Sequence, residues 1–426
     1  MTYMPLELRL PHTAAPCERE RSDALDVEAA RQLILADIAP LNEAEPVPVG
    51  EAIGRIAADH ITSPVALPRF DNSAMDGYAL HAADLTAIGW LSVGGQVQAG
   101  QADVPALLPG TVVRVTTGAA IPAGTAAVVP DEDVDLRPSR SVRVRRLARA
   151  GASIRRRGED TEQGDILIKA GTRIDARHVA IVSAAGVRLV GVRRRPKVAL
   201  LSVGNELVGP GDAAGPNRIV DVNRILLRDL LAASGAEVVD LGIAEDSVRA
   251  VAQRLTMTTG IDVLITTGGL AGSECDITAR GFEEIGGEVS SLRLNLKPGR
   301  TIAFGRRGQL RSLHLPGNPL AALVSAYLFA VPMLNLLMAN QSPDRTDIVP
   351  AGETLRHRQG RTEFVLVKVI DRSADGRRVV VRAGKGSSAN LQPLCEADGF
   401  VEIPAAMGDV LKGQTVRFHA FGSEFG

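Results

Sequence analysis

Cysteine is scarce in this 426-residue chain: Cys17, Cys275 and Cys395 are widely separated and odd in number, which argues against a disulfide framework or a thiolate metal site. Aromatic residues make up 3%, too few for the stacking platforms that hold single-stranded nucleic acid. Neither sign of charge dominates, since 48 Lys plus Arg face 49 Asp plus Glu. The chain therefore has no global basic surface for nucleic acid, and any attraction to anions is local. No uninterrupted run of about 18 apolar residues occurs, the length at which a membrane helix becomes the default reading. Residues 1–22 carry scattered charges and three prolines, Pro5, Pro11 and Pro16, and lack the apolar core of a secretory signal. They read as a flexible tail on a cytoplasmic protein without nucleic-acid or membrane partners. The length implies two to four domains.

Three glycine-containing turns stand out: Ser202-Val203-Gly204-Asn205-Glu206, Thr267-Gly268-Gly269 and Leu315-Pro316-Gly317-Asn318-Pro319. Each follows an apolar strand-like run and leads toward a helix-like segment. In open α/β sheets ligands sit beyond the carboxyl ends of the strands, where glycine lets backbone N–H groups approach a phosphate and a helix N-terminus adds positive potential. Three such turns describe one anion-binding crevice for a large phosphorylated ligand.

Around the crevice the chain changes texture. Asp26 can cap a helix carrying Ala30, Leu33, Ile34 and Ile38 on one face, a 3.6-residue period. From Ile61 to Ala150 short β-branched runs such as Thr111–Val115 are separated by Gly and Pro turns, as in a small β domain. An Arg-rich turn, Arg155 to Asp160, and a helix near Asp175 to Ala185 follow. From Pro196 strand and helix alternate: Val198 to Leu201, Ile225 to Ala233, Val238 to Leu241, Ser247 to Leu255 and Val263 to Ile265. That spacing means parallel βαβ units, with Gly235 as a helix C-cap. An apolar helix runs from Pro319 through Leu337, and strand-like alternation resumes at 363–370, 378–382 and 415–419.

Glu206, Asp262 and Asp276 lie on or beside the crevice turns, and such carboxylates, with phosphate oxygens completing the shell, suit Mg²⁺. The plain alternative is helix caps or solvated acids. Arg293, Lys297 and Arg300 surround Pro298-Gly299 and can clamp an oxyanion, or form a solvated surface. Asp71 and Asn72 can make Asx-turns in a dense polar stretch. Cys275 has no His beside it and reads as a small buried side chain. The seven histidines form no ligand spacing.

Phe70-Asp71-Asn72-Ser73-Ala74-Met75-Asp76-Gly77-Tyr78-Ala79 resembles the signature of the molybdopterin molybdenumtransferase family, commonly called MoeA, whose animal relative is the E domain of gephyrin. Arg114 to Ala119, Arg155 to Asp160, Thr266 to Gly269, Lys297-Pro298-Gly299 and Leu315 to Pro319 follow in the family's order, and the resemblance runs from Leu25 to the C-terminus. It implies an α/β plus β multidomain fold and a homodimer. The expected parts are a flexible tail (1–22), a discontinuous helical linking domain (23–60 and 151–193) and an inserted β domain (61–150). A central doubly wound α/β molybdopterin-binding domain (194–340) and a C-terminal β barrel (341–426) complete the chain.

The activity implied is the last step of molybdenum cofactor assembly. Adenylylated molybdopterin and molybdate bind, a Mg²⁺-dependent reaction inserts molybdenum, and AMP leaves. Possible partners are the molybdopterin adenylyltransferase and client molybdoenzymes. Asp71 and Thr117 match residues that reach the site across the dimer, while Arg155 and Asp160 match a linking-domain pair. Glu206, Asp262 and Asp276 match acidic positions, Asp276 being the first choice for metal. Arg293 and Lys297 match basic positions, whereas Arg361 and Ser387 match C-terminal residues that help hold the oxyanion. Ser202, Gly204, Gly268, Gly269, Pro316, Gly317, Asn318, Pro319 and Arg300 complete the expected binding set.

The chain departs from the family at Val203 and Asn205, at Ala271 and Ala321, where serines are usual, and at Arg300, which replaces a lysine and turns a point donor into a planar fork. Losing two hydrogen bonds to a charged group would weaken oxyanion binding on the order of a hundredfold. The departures motivate an alternative, a paralogue that binds or hands over finished cofactor to a client enzyme. A gephyrin-like scaffold is a third reading, without the extra domains such scaffolds carry.

Overall fold

A computed structural model describes residues 24–87, 89–213, 215–256, 259–269, 276–342, 346–370, 378–384 and 390–422. The chain forms two compact units, one of Ala44–Val192 and one joining the segment up to Glu43 to the chain from Arg193 onward.

The first unit is built on a six-stranded sheet in the order Thr125–Pro130, Gly77–His81, Thr111–Val115, Leu91–Val97, Ser141–Val144, Val134–Arg137. Successive side chains of a strand point to opposite faces, and here both faces are covered. Ala79, Val113, Val115 and Val128 pack in one cluster, while Tyr78, Leu80, Val112 and Val129 pack in another. This explains why the strands read as nearly continuous apolar runs rather than as alternation.

The resemblance implied helical linking segments, but they are not predominantly helical. They contain two nine-residue helices, Val27–Leu35 and Ala176–Ala184, the latter capped by Asp175, beside short ladders such as Ile61–Thr62 with Ile166–Ile168. Proline at positions 46 and 48 withholds backbone donors. β-Branched residues Ile168, Ile174, Val182, Val190 and Val192 fill the local core.

In the second unit a six-stranded sheet runs Glu237–Ala244, Lys197–Val203, Val263–Thr267, Leu310–Leu315, Thr301–Arg307, Glu288–Arg293. The first four strands are parallel and the last two antiparallel. Helices Val248–Thr256 and Ile277–Glu284 cover one face through Val251, Leu255 and Phe282, which pack on Ala199, Leu201 and Leu264. Helix Asn223–Ala233 packs on the sheet together with the helix that begins at Pro319. Gly235 follows the former helix with φ +106, the left-handed conformation expected just past a helix end.

The helical stretch Pro319–Leu337 is long and apolar enough to cross a membrane by composition, yet it is largely buried inside this unit. Ala322, Leu323, Val324, Phe329 and Leu334 are all in the core. Asp26 caps helix Val27–Leu35, with Ala30 and Ile34 buried; Leu33, expected on the same face, is 39% exposed. This segment is tied to the second unit by Leu25 N–H donating to the Arg293 carbonyl and Leu41 N–H to that of Leu337.

The C-terminal strands form a sheet in the order Leu296–Lys297, Thr362–Ile370, Gly399–Ile403, Thr415–Ala420, Thr346–Pro350. Val379–Arg382 pairs with the long second strand, and a bridge joins Ala351 to Val380.

Candidate anion-binding crevice

The parallel strands Lys197–Val203, Val263–Thr267 and Leu310–Leu315 end at the three glycine turns, and these turns touch. A Cβ on Gly268 would lie 3.2 Å from the Val203 carbonyl carbon and closer still to its oxygen, and one on Gly317 would lie 3.4 Å from Gly268 Cα. Gly268 and Gly269 have φ of +86 and +67, conformations that L side chains rarely adopt. Glycine is thus required by both space and backbone angle.

One side chain ties the turns together. The Asn223 amide donates to Thr267 Oγ1 and to the Gly317 carbonyl, both at 2.8 Å, while Thr267 Oγ1 donates to the Pro316 carbonyl at 3.0 Å. Asn223 is buried, and its Oδ1 has no hydrogen-bond partner. Sequence reasoning missed this residue, because taking the helix to start at Ile225 passes over it. The signal was a polar residue heading an apolar helix that packs on the sheet.

Asp276 caps helix Ile277–Glu284. Its Oδ1 accepts from Ala279 N–H at 3.1 Å and from the Thr278 hydroxyl at 2.9 Å, and Ile277 N–H returns to the Gly269 carbonyl. Its Oδ2 is buried and unpartnered. Burial is the main cause that raises the pKa of this carboxyl above the usual 3.8, against the opposing hydrogen bonds. A buried carboxylate oxygen without a donor fits a divalent cation or a ligand proton. Asn318 caps the next helix by accepting from Ala321 N–H at 3.2 Å, with Pro319 at its first position.

Contrary to expectation, the first turn does not lead directly to a helix. Gly209, Pro210 and Gly211 break the chain, and the short parallel ladder Leu207–Val208 with Ile219–Val220 intervenes before helix Asn223–Ala233. Glu206 is exposed and curls back over Gly204.

One expected position needs correction. Asp262 precedes strand Val263–Thr267, so it lies at the opposite end of that strand from Gly268, about 20 Å away at ordinary strand rise. Arg194 engages it in a fork at 2.7 and 3.1 Å, and Lys197 N–H donates to it at 2.7 Å. It is a structural counter-ion and not a metal ligand of the crevice. Ser202 is fully buried within its strand, and its Oγ, like Asp276 Oδ2, has no hydrogen-bond partner. Among the described residues no group of three His, Cys, Asp or Glu side chains comes together as a metal site. The acidic pair that does stand at the crevice end is Glu245-Asp246, just past strand Glu237–Ala244. Ala244 is in register with Val203, and Asp246 N–H donates to Asn205 Oδ1 at 3.1 Å. Ending that strand at Leu241 hid the pair; its apolar run on to Ile243-Ala244 was the available signal.

Arg293, Lys297 and Arg300 are all exposed around one turn, closed by Leu294 N–H donating to the Arg300 carbonyl at 2.7 Å. Gly299 packs against helix Pro319–Ser325: a Cβ there would lie 3.0 Å from Ser325 Oγ and 3.6 Å from the Ala321 carbonyl. The basic turn thus abuts the helix that the third glycine turn begins. Arg361 is exposed just before strand Thr362–Ile370. Ser387, Ala271, Ser273, Cys17 and Cys275 lie outside the described residues.

The Ala44–Val192 unit gathers its own polar constellation. Asp71 accepts from the Arg156 guanidinium at 2.6 Å and Arg157 N–H at 2.8 Å. The backbone donor, then Arg156, holds its pKa below 3.8. Asp76 accepts from Thr117 N–H and hydroxyl at 2.6 and 2.8 Å. Arg155 pairs with Asn72 in a short antiparallel ladder, and Asp160 is exposed, its N–H held by the Leu67 carbonyl at 3.0 Å.

A six-stranded α/β sheet with glycine-lined turns at the carboxyl ends of its parallel strands defines a nucleotide- or cofactor-binding class of fold. The comparisons narrow it. Residues 25–186 match the MoeA N-terminal region (domain I and II), 199–336 a probable molybdopterin binding domain and 348–421 the MoeA C-terminal region (domain IV). The chain belongs to the MoeA family. It is 31% identical over 405 residues to a molybdopterin molybdenumtransferase of Haemophilus influenzae, covering 94% of this chain and all of that protein. It is 32% identical to molybdopterin molybdenumtransferase 2 of Mycobacterium tuberculosis, covering 87% and 93%. The crystal structure of a molybdopterin biosynthesis moeA protein from Pyrococcus horikoshii superposes with a TM-score of 0.80 at 26% identity, covering 94% of this chain and all of that one.

Proposed function

We propose that this protein is a molybdopterin molybdenumtransferase of molybdenum cofactor biosynthesis. The observation that carries the reading is the convergence of three glycine turns beside a buried, unpartnered Asp276 oxygen. The alternative of a paralogue that only binds or hands over cofactor is not favoured, because relatives aligned over nearly the whole chain bear enzyme names.

The substrate in this reading is adenylylated molybdopterin, with molybdate as second substrate. Backbone N–H groups of the Gly204, Gly268 and Gly317 turns bind its phosphate oxygens. Lys297, Arg293, Arg300 and Arg361 hold and orient the tetrahedral oxyanion. Asp276 would hold Mg²⁺, with Glu206 or the Glu245-Asp246 pair as further carboxylates of the crevice turns, and the cation would neutralise charge developing on the phosphates. The protein's contribution is mostly preorganised electrostatics, and no covalent nucleophile is called on. Asp71, Thr117, Arg155 and Asp160 complete the cavity from a second copy in a homodimer, and the C-terminal strands close into a barrel, a reading that the Ala351–Val380 bridge supports. The protein acts in the cytoplasm, receives substrate from an adenylyltransferase and serves molybdoenzymes.

The test is AMP release from adenylylated molybdopterin with molybdate and Mg²⁺ supplied. Turnover that depends on both is the expected result; tight binding of molybdopterin without AMP release would overturn the enzyme reading in favour of the carrier.

A further inference from the structure

Strand Leu296–Lys297 lies parallel to strand Thr362–Ile370, with Lys297 in register with Glu363. That register places the Lys297 ammonium 2.9 Å from Glu363 Oε1, with the lysine side chain half exposed and the glutamate only 9% exposed. On the other side of the carboxylate, His357 Nε2 is 4.0 Å from Glu363 Oε2, and this imidazole is 1% exposed. Both of its ring nitrogens face carbonyl oxygens, Met407 through Nδ1 at 3.0 Å and Arg361 through Nε2 at 2.9 Å. Carbonyls only accept, so both hydrogen bonds exist together only when both nitrogens donate, which is the imidazolium form. Asp409 also faces this segment, taking His357 N–H at 2.8 Å and the Arg356 guanidinium at 2.6 Å. The buried Glu363 is therefore flanked by a half-exposed lysine on one oxygen and a buried imidazole near the other.

We infer that His357 is a standing counter-ion that lets Lys297 leave Glu363 and transfer its charge to the incoming oxyanion. A buried carboxylate stripped of its only cation is strongly disfavoured, so without His357 the lysine is locked in its resting pair. With His357 in place, Glu363 keeps a cationic neighbour throughout. His357 also fixes the Arg361 carbonyl, so one imidazole positions two basic residues of the site. This inference rests on the oxyanion reading of Lys297 given above.

The experiment measures tungstate binding to the full-length protein by titration calorimetry in four variants, with far-UV circular dichroism as the folding control. His357→Gln is expected to weaken binding by about tenfold to a hundredfold. Adding Glu363→Gln to His357→Gln is expected to restore affinity to within about threefold of wild type, because no buried charge then competes for the lysine. Glu363→Gln alone is expected to bind at least as tightly as wild type, which a merely structural role would not produce. Lys297→Met should lose binding. If Lys297→Met binds as wild type does, the oxyanion reading falls and the inference with it. If Lys297→Met loses binding but His357→Gln keeps wild-type affinity, or Glu363→Gln weakens binding, or the double variant stays as weak as His357→Gln, the counter-ion inference alone is overturned.

Discussion

Gly268→Ala tests the crevice where its geometry is tightest. An added methyl would lie 3.2 Å from the Val203 carbonyl carbon and closer to its oxygen, so the neighbouring strand end or the turn has to move. The backbone there has φ +86, and placing an L side chain in a left-handed conformation costs about 1–2 kcal/mol. Forcing an extra carbon into a packed contact adds about 1–3 kcal/mol, for a total of about 2–5 kcal/mol of lost stability. Gly317 lies against Gly268 on the other side, so the displacement reaches two of the three turns. A misplacement of about 1 Å at a binding site commonly costs about a hundredfold in rate. Urea unfolding and molybdate-dependent AMP release measure the two effects. Gly215→Ala is the control, since nothing lies within 4 Å of a Cβ at that position. A Gly268→Ala protein that unfolds within about 0.5 kcal/mol of the Gly215→Ala control and turns over at the wild-type rate would refute the claim that these turns form one fitted crevice.

Asp276→Asn keeps the helix cap but removes the charge from a buried oxygen. In the proposed Mg²⁺ reading, Mg²⁺ should raise the melting temperature of the wild type but not of this variant, and in the metal-free protein the substitution should be neutral or stabilising, because burial disfavours the carboxylate. The linkage runs one way: this carboxyl's raised pKa means that its ionised form disfavours folding at neutral pH, and the penalty fades as pH falls. Mixing Asp276→Asn with Asp71→Asn protein should recover activity, up to about a quarter of wild type in randomly exchanged dimers, if the site is completed by a second copy; no recovery after verified subunit exchange rejects the shared site. Asp262→Ala should destabilise by about 1–3 kcal/mol through the stranded Arg194 and Lys197 N–H while leaving the Mg²⁺ concentration dependence unchanged; a shifted metal requirement would return Asp262 to the site. His314 is fully buried between Thr266 and Ser312, and burial lowers its pKa from 6.5 to about 3. Its neutral form is the folded form, so its contribution is complete above pH 6.5 and is lost on acidification at up to about 1.4 kcal/mol per pH unit. His314→Asn should flatten the acid limb of a urea-denaturation stability profile.

Much of this architecture is legible in the sequence because periodicity and punctuation agree. Apolar runs ending in glycine mark the parallel strands, and Asp26, Asp175 and Gly235 mark helix ends where the structure has them. What the sequence conceals is direction and depth. An acid beside a strand looks the same at either end, so Asp262 reads like Asp276 until the sheet shows which ends share the crevice. A serine in a glycine turn reads as a surface donor, yet Ser202 is fully buried. Glu363 reads as the start of an alternating strand, and only the parallel pairing with Leu296–Lys297 reveals that it faces a lysine 66 positions earlier in the chain.

Asn223 holds two strand ends through a carbonyl and a hydroxyl, and the closest approaches at the lip of the sheet, Gly268 on Val203 and Gly317 on Gly268, are between peptide groups. Side chains diverge under selection, whereas main-chain amides are supplied at every position but proline. A cavity rim built from them tolerates replacements such as Val203 and Ala321, provided that the glycines stay. Drift in this lineage is therefore expected to concentrate in decoration around the rim and to spare its curvature.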